Sequence, residues 1–286
     1  MMNLCTVGDL SWLIVLPVSH IPLQGDTMMI KGVEHLLGND AAIVSLMAAH
    51  LGMHCRLLAT NAIARHDGLP LINMLQQAGV DTSLVGTDGT FTPATFFLSR
   101  IASDDRAAII EEYAFHCSVA PDWSPNCTFA YIDLYEEHLN ERLTFLHAWS
   151  QTNMRCVVNL SASHLEEKVS SLTHISSIDT IQMRGNGSVD EAQAWGRLVF
   201  QLCDTRAVVI TLGSVGAVLV DQHDSYFIPA EPIQAVRTIG AGASFTAGFI
   251  SALTDSATYY DAVESACKHA ANFCRAAINP LEVIKR

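Results

Sequence analysis

Arg237-Thr238-Ile239-Gly240-Ala241-Gly242-Ala243-Ser244-Phe245-Thr246-Ala247-Gly248-Phe249-Ile250-Ser251-Ala252-Leu253 is the stretch on which the fold turns. A strand-like piece, Pro232 to Val236, precedes it, and a helix of small and apolar residues follows. Gly240 and Gly242 stand at the junction, where they permit a tight turn and close approach to the backbone. The first turn of a helix leaves N–H groups unpartnered at the positive end of its dipole, which makes a ready anion site. The sequence here predicts a phosphate cradle. Taken alone, the two glycines fit a plain helix-start turn equally well. The third glycine of a dinucleotide fingerprint falls on Phe245, and no Gly-x-x-x-x-Gly-Lys-Ser/Thr occurs, so neither a Rossmann loop nor a P-loop is indicated.

Working outward, Ala207-Val208-Val209-Ile210-Thr211-Leu212-Gly213 is a continuous apolar run ending in glycine, as for a strand buried on both faces. With Gly216 to Val220 it reads as strand, turn, strand. Tyr259 to Ile278 is a helix whose Ala262, Ala266, Ala270 and Ala271 allow close packing. Towards the N-terminus, Asn3 to Val7 is a strand ending in Gly8-Asp9, with Asp9 as a turn cap. In Gly38 to Gly52, Ile43, Leu46, Met47 and Leu51 follow helical spacing, with Asn39 or Asp40 as N-cap and Gly52 as the stop. Gly52 also separates His50 from His54 and argues against a metal pair on one helix face.

Further strands are expected at Cys55 to Thr60, Phe129 to Tyr135, Arg155 to Leu160 and Ile178 to Met183. Helices are expected at Asp67 to Gly79, with Pro70 in the first turn, and at Ser163 to His174. Another carries Leu139, Leu143, Leu146 and Trp149 behind the acids Glu136, Glu137 and Glu141. Asp190 and Glu191 read as helix-start acids. Thr92 to Ile101 and Ala107 to Tyr113 read as a hairpin around Ser103-Asp104-Asp105-Arg106. The alternation implies an α/β fold, doubly wound, with a mostly parallel sheet flanked by helices on both faces.

Composition narrows the function. The chain of 286 residues is half hydrophobic and large enough for one sizeable core. Only 16 Lys and Arg face 29 Asp and Glu, and the net charge of −13 speaks against a nucleic-acid groove. The eight cysteines show no Cys-x-x-Cys spacing, so no structural zinc is expected and the residues read as free thiols of a reducing, cytoplasmic compartment. No apolar run is long enough to span a bilayer, and the N-terminus lacks a basic signal region.

The opening stretch resembles the C-terminal signature of the PfkB carbohydrate kinases, the ribokinase-like family: Asp-Thr-x-Gly-Ala-Gly-Asp-Ser-Phe-x-Ala-Gly. Thr238, Gly240, Ala241, Gly242, Ser244, Phe245, Ala247 and Gly248 match in register. The block Thr211-Leu212-Gly213 to Gly216 is similar to the family's nucleotide-side turn, and Gly38 to Gly52 to its first signature. The resemblance implies a single ribokinase-like domain over 1–286, with lid segments at about 12–37 and 92–113. It implies ATP and Mg2+, a small-molecule acceptor, and pairing of two copies through the lid. Site residues carried over are Gly240, Ala241 and Gly242 as an anion hole, and Thr211, Gly213, Gly216 and Thr238 at the nucleotide. Leu13, Gly38, Asn39 and Ile43 fall at the acceptor.

The departures are chemical. The family's catalytic Asp is Ala243, and its substrate Asp and Asn positions hold Leu13 and Ile43. Asn39 replaces the second glycine of the first signature, and Ile63, Ala64 and Arg65 replace a Gly-Asp-Asp. The family's Asn-x-x-Glu is lost, since Asn186 is followed by Val189. The family's first Asp is Arg237. A fixed positive charge there disfavours the monovalent cation that several members hold, and leaves Arg237 to contact a phosphate or pair with a surface acid. Two functions follow: an ATP-dependent sugar kinase, or a silent relative that binds nucleotide or a metabolite as a sensor or partner.

Overall fold

The computed structural model describes residues 2–30, 32–100, 106–120, 123, 126–135, 138–160 and 165–283. The chain begins β1 (Met2–Gly8), β2 (Ser11–Val18), β3 (Glu34–Gly38), α1 (Asp40–His50), β4 (Cys55–Ala62), α2 (Arg65–Gln77) and β5 (Asp81–Gly86). It continues β6 (Ala94–Arg100), β7 (Arg106–Ile110), β8 (Cys127–Leu134), α3 (Leu139–Ser150), β9 (Arg155–Leu160), α4 (Leu165–Leu172) and β10 (Ile178–Arg184). It closes with α5 (Val189–Leu202), β11 (Thr205–Thr211), β12 (Gly216–Asp221), β13 (Ser225–Pro229), α6 (Ala241–Thr254) and α7 (Tyr259–Arg275).

Nine strands form the main sheet in the order β13-β12-β11-β10-β9-β8-β1-β4-β5. The strands from β11 to β5 run parallel, and β12 and β13 add an antiparallel edge. The expected α/β architecture is therefore present. Alternate residues of each strand feed separate cores. Leu4, Phe129, Val157 and Val209 pack with α1, α6 and α7. Cys5, Val7, Ile132 and Val208 pack with α3, α4 and α5. From β1 the winding goes one way through β4 and β5, and the other way from β8 to β11. The switch lies between β1 and β8, and the mouth at the carboxyl ends there is where such sheets bind ligands.

A second sheet, ordered β3-β2-β6-β7, is built from two excursions of the chain. β2 lies antiparallel to β3 and parallel to β6, and β6 and β7 form the hairpin. Ser103 to Asp105, Glu136, Glu137 and Ser163 lie outside the described residues.

Two local expectations fail. Pro232–Val236 is not a strand. It passes the end of α7, where the N–H groups of Val236 and Arg237 both bond Cys274 O (2.8 and 3.2 Å). With no partner strand beside it, extended chain cannot become sheet. α2 begins at Arg65 rather than Asp67, because Thr92 Oγ1 accepts the Ala64 N–H (3.2 Å) and sets the helix start there. Pro70 thus falls in the second turn, inside the helix.

Candidate active site

The start of α6 presents open donors. Gly240 takes φ 93° at the N-cap, and a side chain there would also run into Leu281 and Phe273. Ala241 N–H turns back onto Thr238 O (3.2 Å), and Ser244 N–H bonds Gly240 O (2.9 Å). The N–H groups of Gly240, Gly242 and Ala243 have no acceptor among the described residues. Gly242 and Ala243 lie in the first turn, so their N–H groups point out of the helix end. Gly242 is exposed, and a Cβ on it would meet nothing within 4 Å. Ala241, expected among the anion-binding amides, has spent its N–H on the turn; Ala243 is the open one instead.

β10 and β11 fix what stands beside this helix end. Thr246, one turn further along α6, donates from Oγ1 to Gln182 Oε1 on β10 (2.9 Å). Thr211 closes β11, and its carbonyl accepts Gly185 N–H (2.9 Å). The turn after it needs glycine twice, with φ 60° at Gly213 and φ 136° at Gly216, where a Cβ would collide with the Ile228 carbonyl. Leu212 N–H closes the turn on Gly216 O (2.8 Å). Thr238 is exposed. The residues expected at the nucleotide therefore sit on neighbouring strand ends and on the α6 turn.

The acceptor-side residues lie on the lid and α1. Leu13 is 5% exposed in β2, opposite Leu36 and Thr95. Gly38 ends β3, where a Cβ would collide with Ser11. Asn39 occupies the N-cap of α1 at φ 66° but makes no cap bond; its Nδ2 donates to Ser11 Oγ (3.0 Å). Ile43 is 3% exposed and shares the apolar core with Ala243. A cavity of about 390 Å³ lined by Phe115, Cys117 and Phe145 opens beside α3 on the other face of the sheet, away from these residues.

A buried charge cluster under the mouth was not anticipated. Arg142, fully buried on α3, donates from Nη1 to Asp133 Oδ1 (2.6 Å) and from Nη2 to Asp9 Oδ2. Asp9 also accepts from Thr60 Oγ1 (2.6 Å) and the Tyr113 hydroxyl. It is an ion-pair hub and not the expected turn cap. Asp133 accepts Ala41 N–H (3.2 Å), and a side chain at Gly8 would collide with its carboxylate. The cluster thus joins β1, β4, β8, α1, α3 and the segment after β7. The sequence did carry a signal: Asp133 interrupts an apolar strand, and Arg142 sits on the stripe shared with Leu146 and Trp149.

One guanidinium cannot neutralise two carboxylates. Burial pushes the Asp133 carboxyl up to about 7 against the pull of Arg142, and the charges of Asp9 and Asp40 add to the rise. An unfolded Asp titrates near ~3.9. Between those values the folded chain holds the extra proton, so this group's contribution to stability is full below the lower value. It is lost as pH rises through the upper one, by at most about 1.4 kcal/mol per pH unit. Thermal melts between pH 5 and 8 check this: Asp133→Asn should flatten that slope, and an unchanged slope would place the titration elsewhere.

Comparison with known proteins gives the family and the fold. The model of the pfkB family carbohydrate kinases matches residues 1–277. This chain belongs to that family. A ribokinase of Haemophilus influenzae is 22% identical over 271 residues, covering 91% of this chain and 88% of its own. The structure of ribokinase from Cryptococcus neoformans in complex with ADP matches with TM-score 0.80 at 19% identity, over 99% of this chain and 97% of that one. Arabidopsis thaliana ribokinase complexed with ribose and ATP matches with TM-score 0.76 at 17% identity, over 98% and 95%.

Within this pfkB carbohydrate kinase homologue the structure shows what surrounds Arg237 and Ala243, the two positions of the opening stretch read as departures. Among the described residues Arg237 contacts no surface acid. Its guanidinium donates to the carbonyls of Ala276, Ala277 and Ile278, which follow α7. Carbonyls at a helix end lack intrahelical partners and carry the negative end of the dipole, so a cation is favoured there. Ala243 is 2% exposed, with its methyl group in the core between the sheet and the helices.

Proposed function

We propose that this chain transfers the γ-phosphoryl group of ATP to a hydroxyl of a sugar or sugar-like small molecule, at the mouth between α1 and α6. The observation that carries this reading is the open set of amides at Gly240, Gly242 and Ala243, with free space over Gly242. Such amides match the charge that spreads over phosphoryl oxygens during transfer. Thr211, Gly213, Gly216 and Thr238 border the nucleotide side, and Gly38 and Asn39 the acceptor side. Among the described residues no group of three His, Cys, Asp or Glu is placed to hold a metal. Mg2+ suits this site as an ion carried largely by nucleotide phosphates and water, and it neutralises charge on their oxygens. Ile109 and Ile110, exposed on the lid edge strand β7, suit pairing of two copies. The free thiols suit a reducing compartment, and no helix among the described residues is long and apolar enough to cross a membrane.

A second reading, a silent nucleotide binder, is favoured by Ala243, which cannot take a proton. Losing a general base costs about 10²–10⁴-fold in rate. Calorimetry with MgATP, followed by ATP turnover over a panel of sugars, nucleosides and hydroxymethyl heterocycles, separates the two. Binding heat with ADP formed in step with phosphorylated product is expected. No heat and no thermal shift at millimolar nucleotide would end both readings. Ala243→Asp should gain far less than the about 10²–10⁴-fold worth of a base, since the side chain at 243 faces apolar packing. A gain of that full size would mean that the natural chain has no base, and the silent reading would stand.

A further inference from the structure

We infer that Arg237 is a built-in cation. Its guanidinium fills the place that a monovalent metal ion would take beside the amide turn, so this chain needs no such ion to hold the turn ready for phosphate. What concerns phosphate here rests on the kinase reading above; what concerns the cation stands apart from it.

The carbonyls of Ala276, Ala277 and Ile278 follow one another directly after α7 and converge on the half-buried Arg237. Nη1 donates to Ala276 O and to Ile278 O (3.3 Å), and Nη2 donates to Ala277 O (3.3 Å). None of the three oxygens accepts a backbone N–H among the described residues. Carbonyl oxygens turned to a common centre are the donors with which a protein replaces the water shell of a hard cation such as K+. They also lie past the C-terminus of α7, where the dipole of a 17-residue helix adds to the negative potential. A metal ion does not fit at that centre. A guanidinium is always charged, and it occupies the oxygens that an ion would need. A second positive charge brought to the same oxygens is repelled. The monovalent cation that several family members hold at this turn is therefore replaced here by a side chain.

The place of the charge gives it a consequence. Arg237 stands three residues ahead of Gly240. Leu281 and Phe273 lie under Gly240, where a Cβ would come within 2.8 Å of each. Leu281 O in turn accepts Leu37 N–H (2.8 Å), and Val283 N–H bonds His35 O (3.0 Å). The same stretch thus runs on beside β3, which ends at Gly38. The segment after α7 touches the phosphate turn at one end and the acceptor-side strand at the other, and Arg237 ties it to the turn. Arg237 is a positioning residue. It keeps the N–H groups of Gly240, Gly242 and Ala243 in place before nucleotide arrives, so that binding does not have to order the loop.

The test compares the natural chain with Arg237→Asp in KCl and in tetramethylammonium chloride at equal ionic strength, so that screening is the same in both. Thermal melts report on the cation centre and MgATP calorimetry reports on the turn. The natural chain should show one Tm and one Kd for MgATP in both salts. Arg237→Asp removes the tethered charge and offers a carboxylate beside the three carbonyls. It should melt below the natural chain in tetramethylammonium. K+ should raise its Tm saturably, by about 2–4 °C at about ten times the Kd for K+. Its MgATP binding should be about 2–10-fold weaker than that of the natural chain in tetramethylammonium and recover with K+. A saturable gain in Tm or MgATP affinity with K+ in the natural chain would show that an outside ion holds the turn and overturn the inference. A folded Arg237→Asp that ignores K+ would overturn it too, leaving Arg237 as a cap on α7. Melts that respond to K+ while MgATP affinity stays level would overturn the positioning of the turn. A natural chain that binds no MgATP would end the kinase reading, while the melts still decide the cation centre. Should Arg237→Asp fail to fold, Arg237→Ala in the same two salts decides: a rise in Tm with K+ supports the inference, and equal melts overturn it.

Discussion

Arg142→Met should be the most destabilising single substitution at this site. The guanidinium bonds Asp133 through its carboxylate and its carbonyl (2.6 and 3.1 Å), and it also bonds Asp9 and Thr60. Met keeps much of the length of the side chain but none of its charge. Two buried carboxylates are then left side by side without a counter-ion, which costs about 3–5 kcal/mol. For a chain of this size the fall in Tm is on the order of 10 °C. Asp9→Asn combined with Asp133→Asn in the Met background should recover much of it, because no buried charge then remains unpaired. Denaturant titration of the three proteins checks both statements. A loss within the ~0–1 kcal/mol typical of an exposed ion pair would show that the cluster is solvated, and the buried hub would be abandoned.

Gly242→Asp should abolish useful nucleotide binding while leaving the fold sound. A Cβ at 242 meets nothing within 4 Å, so no packing is disturbed. A carboxylate in the first turn of a helix stabilises it by about 0.3–1 kcal/mol. The same charge beside a phosphate repels it by about 4 kcal/mol at 4 Å in a partly screened site. MgATP should therefore bind about 10²–10³-fold more weakly, with Tm level or raised. Gly242→Ala, which adds a methyl group into the same open space, should remain close to the natural chain. If both variants bind MgATP as before, the α6 amides are not the phosphate site and the proposed function loses its main support.

Most of the main sheet was legible because its evidence is local. A run such as Val208-Val209-Ile210 must be covered on both faces, and a glycine at its end must turn. The misses have causes that lie outside the segments concerned. Pro232–Val236 has the composition of a strand but no strand beside it, and the α2 start is set by Thr92, which lies 28 residues from Ala64. Of the candidate site, the glycines at 240 and 242 were readable because they answer to backbone geometry. Arg237 was readable as a charge but not as a partner for Ala276, Ala277 and Ile278, since its carbonyls lie some 40 residues further on. Asp40 passed for a cap, since nothing in its neighbourhood along the chain shows which way its carboxylate turns.

By itself, the sequence determined the alternation of strands and helices, the amide turn before α6, and the alanine where a base is expected. These follow from residue type and short-range spacing. The tertiary structure alone decided which charges meet. Asp9 and Arg142 are 133 residues apart, and Asp40 and Asn159 are 119 apart. They come together because the sheet places β8 and β9 beside β1, with α1 laid across their ends. That strand order is a property of the whole chain packing at once, and periodicity within a segment carries no record of it.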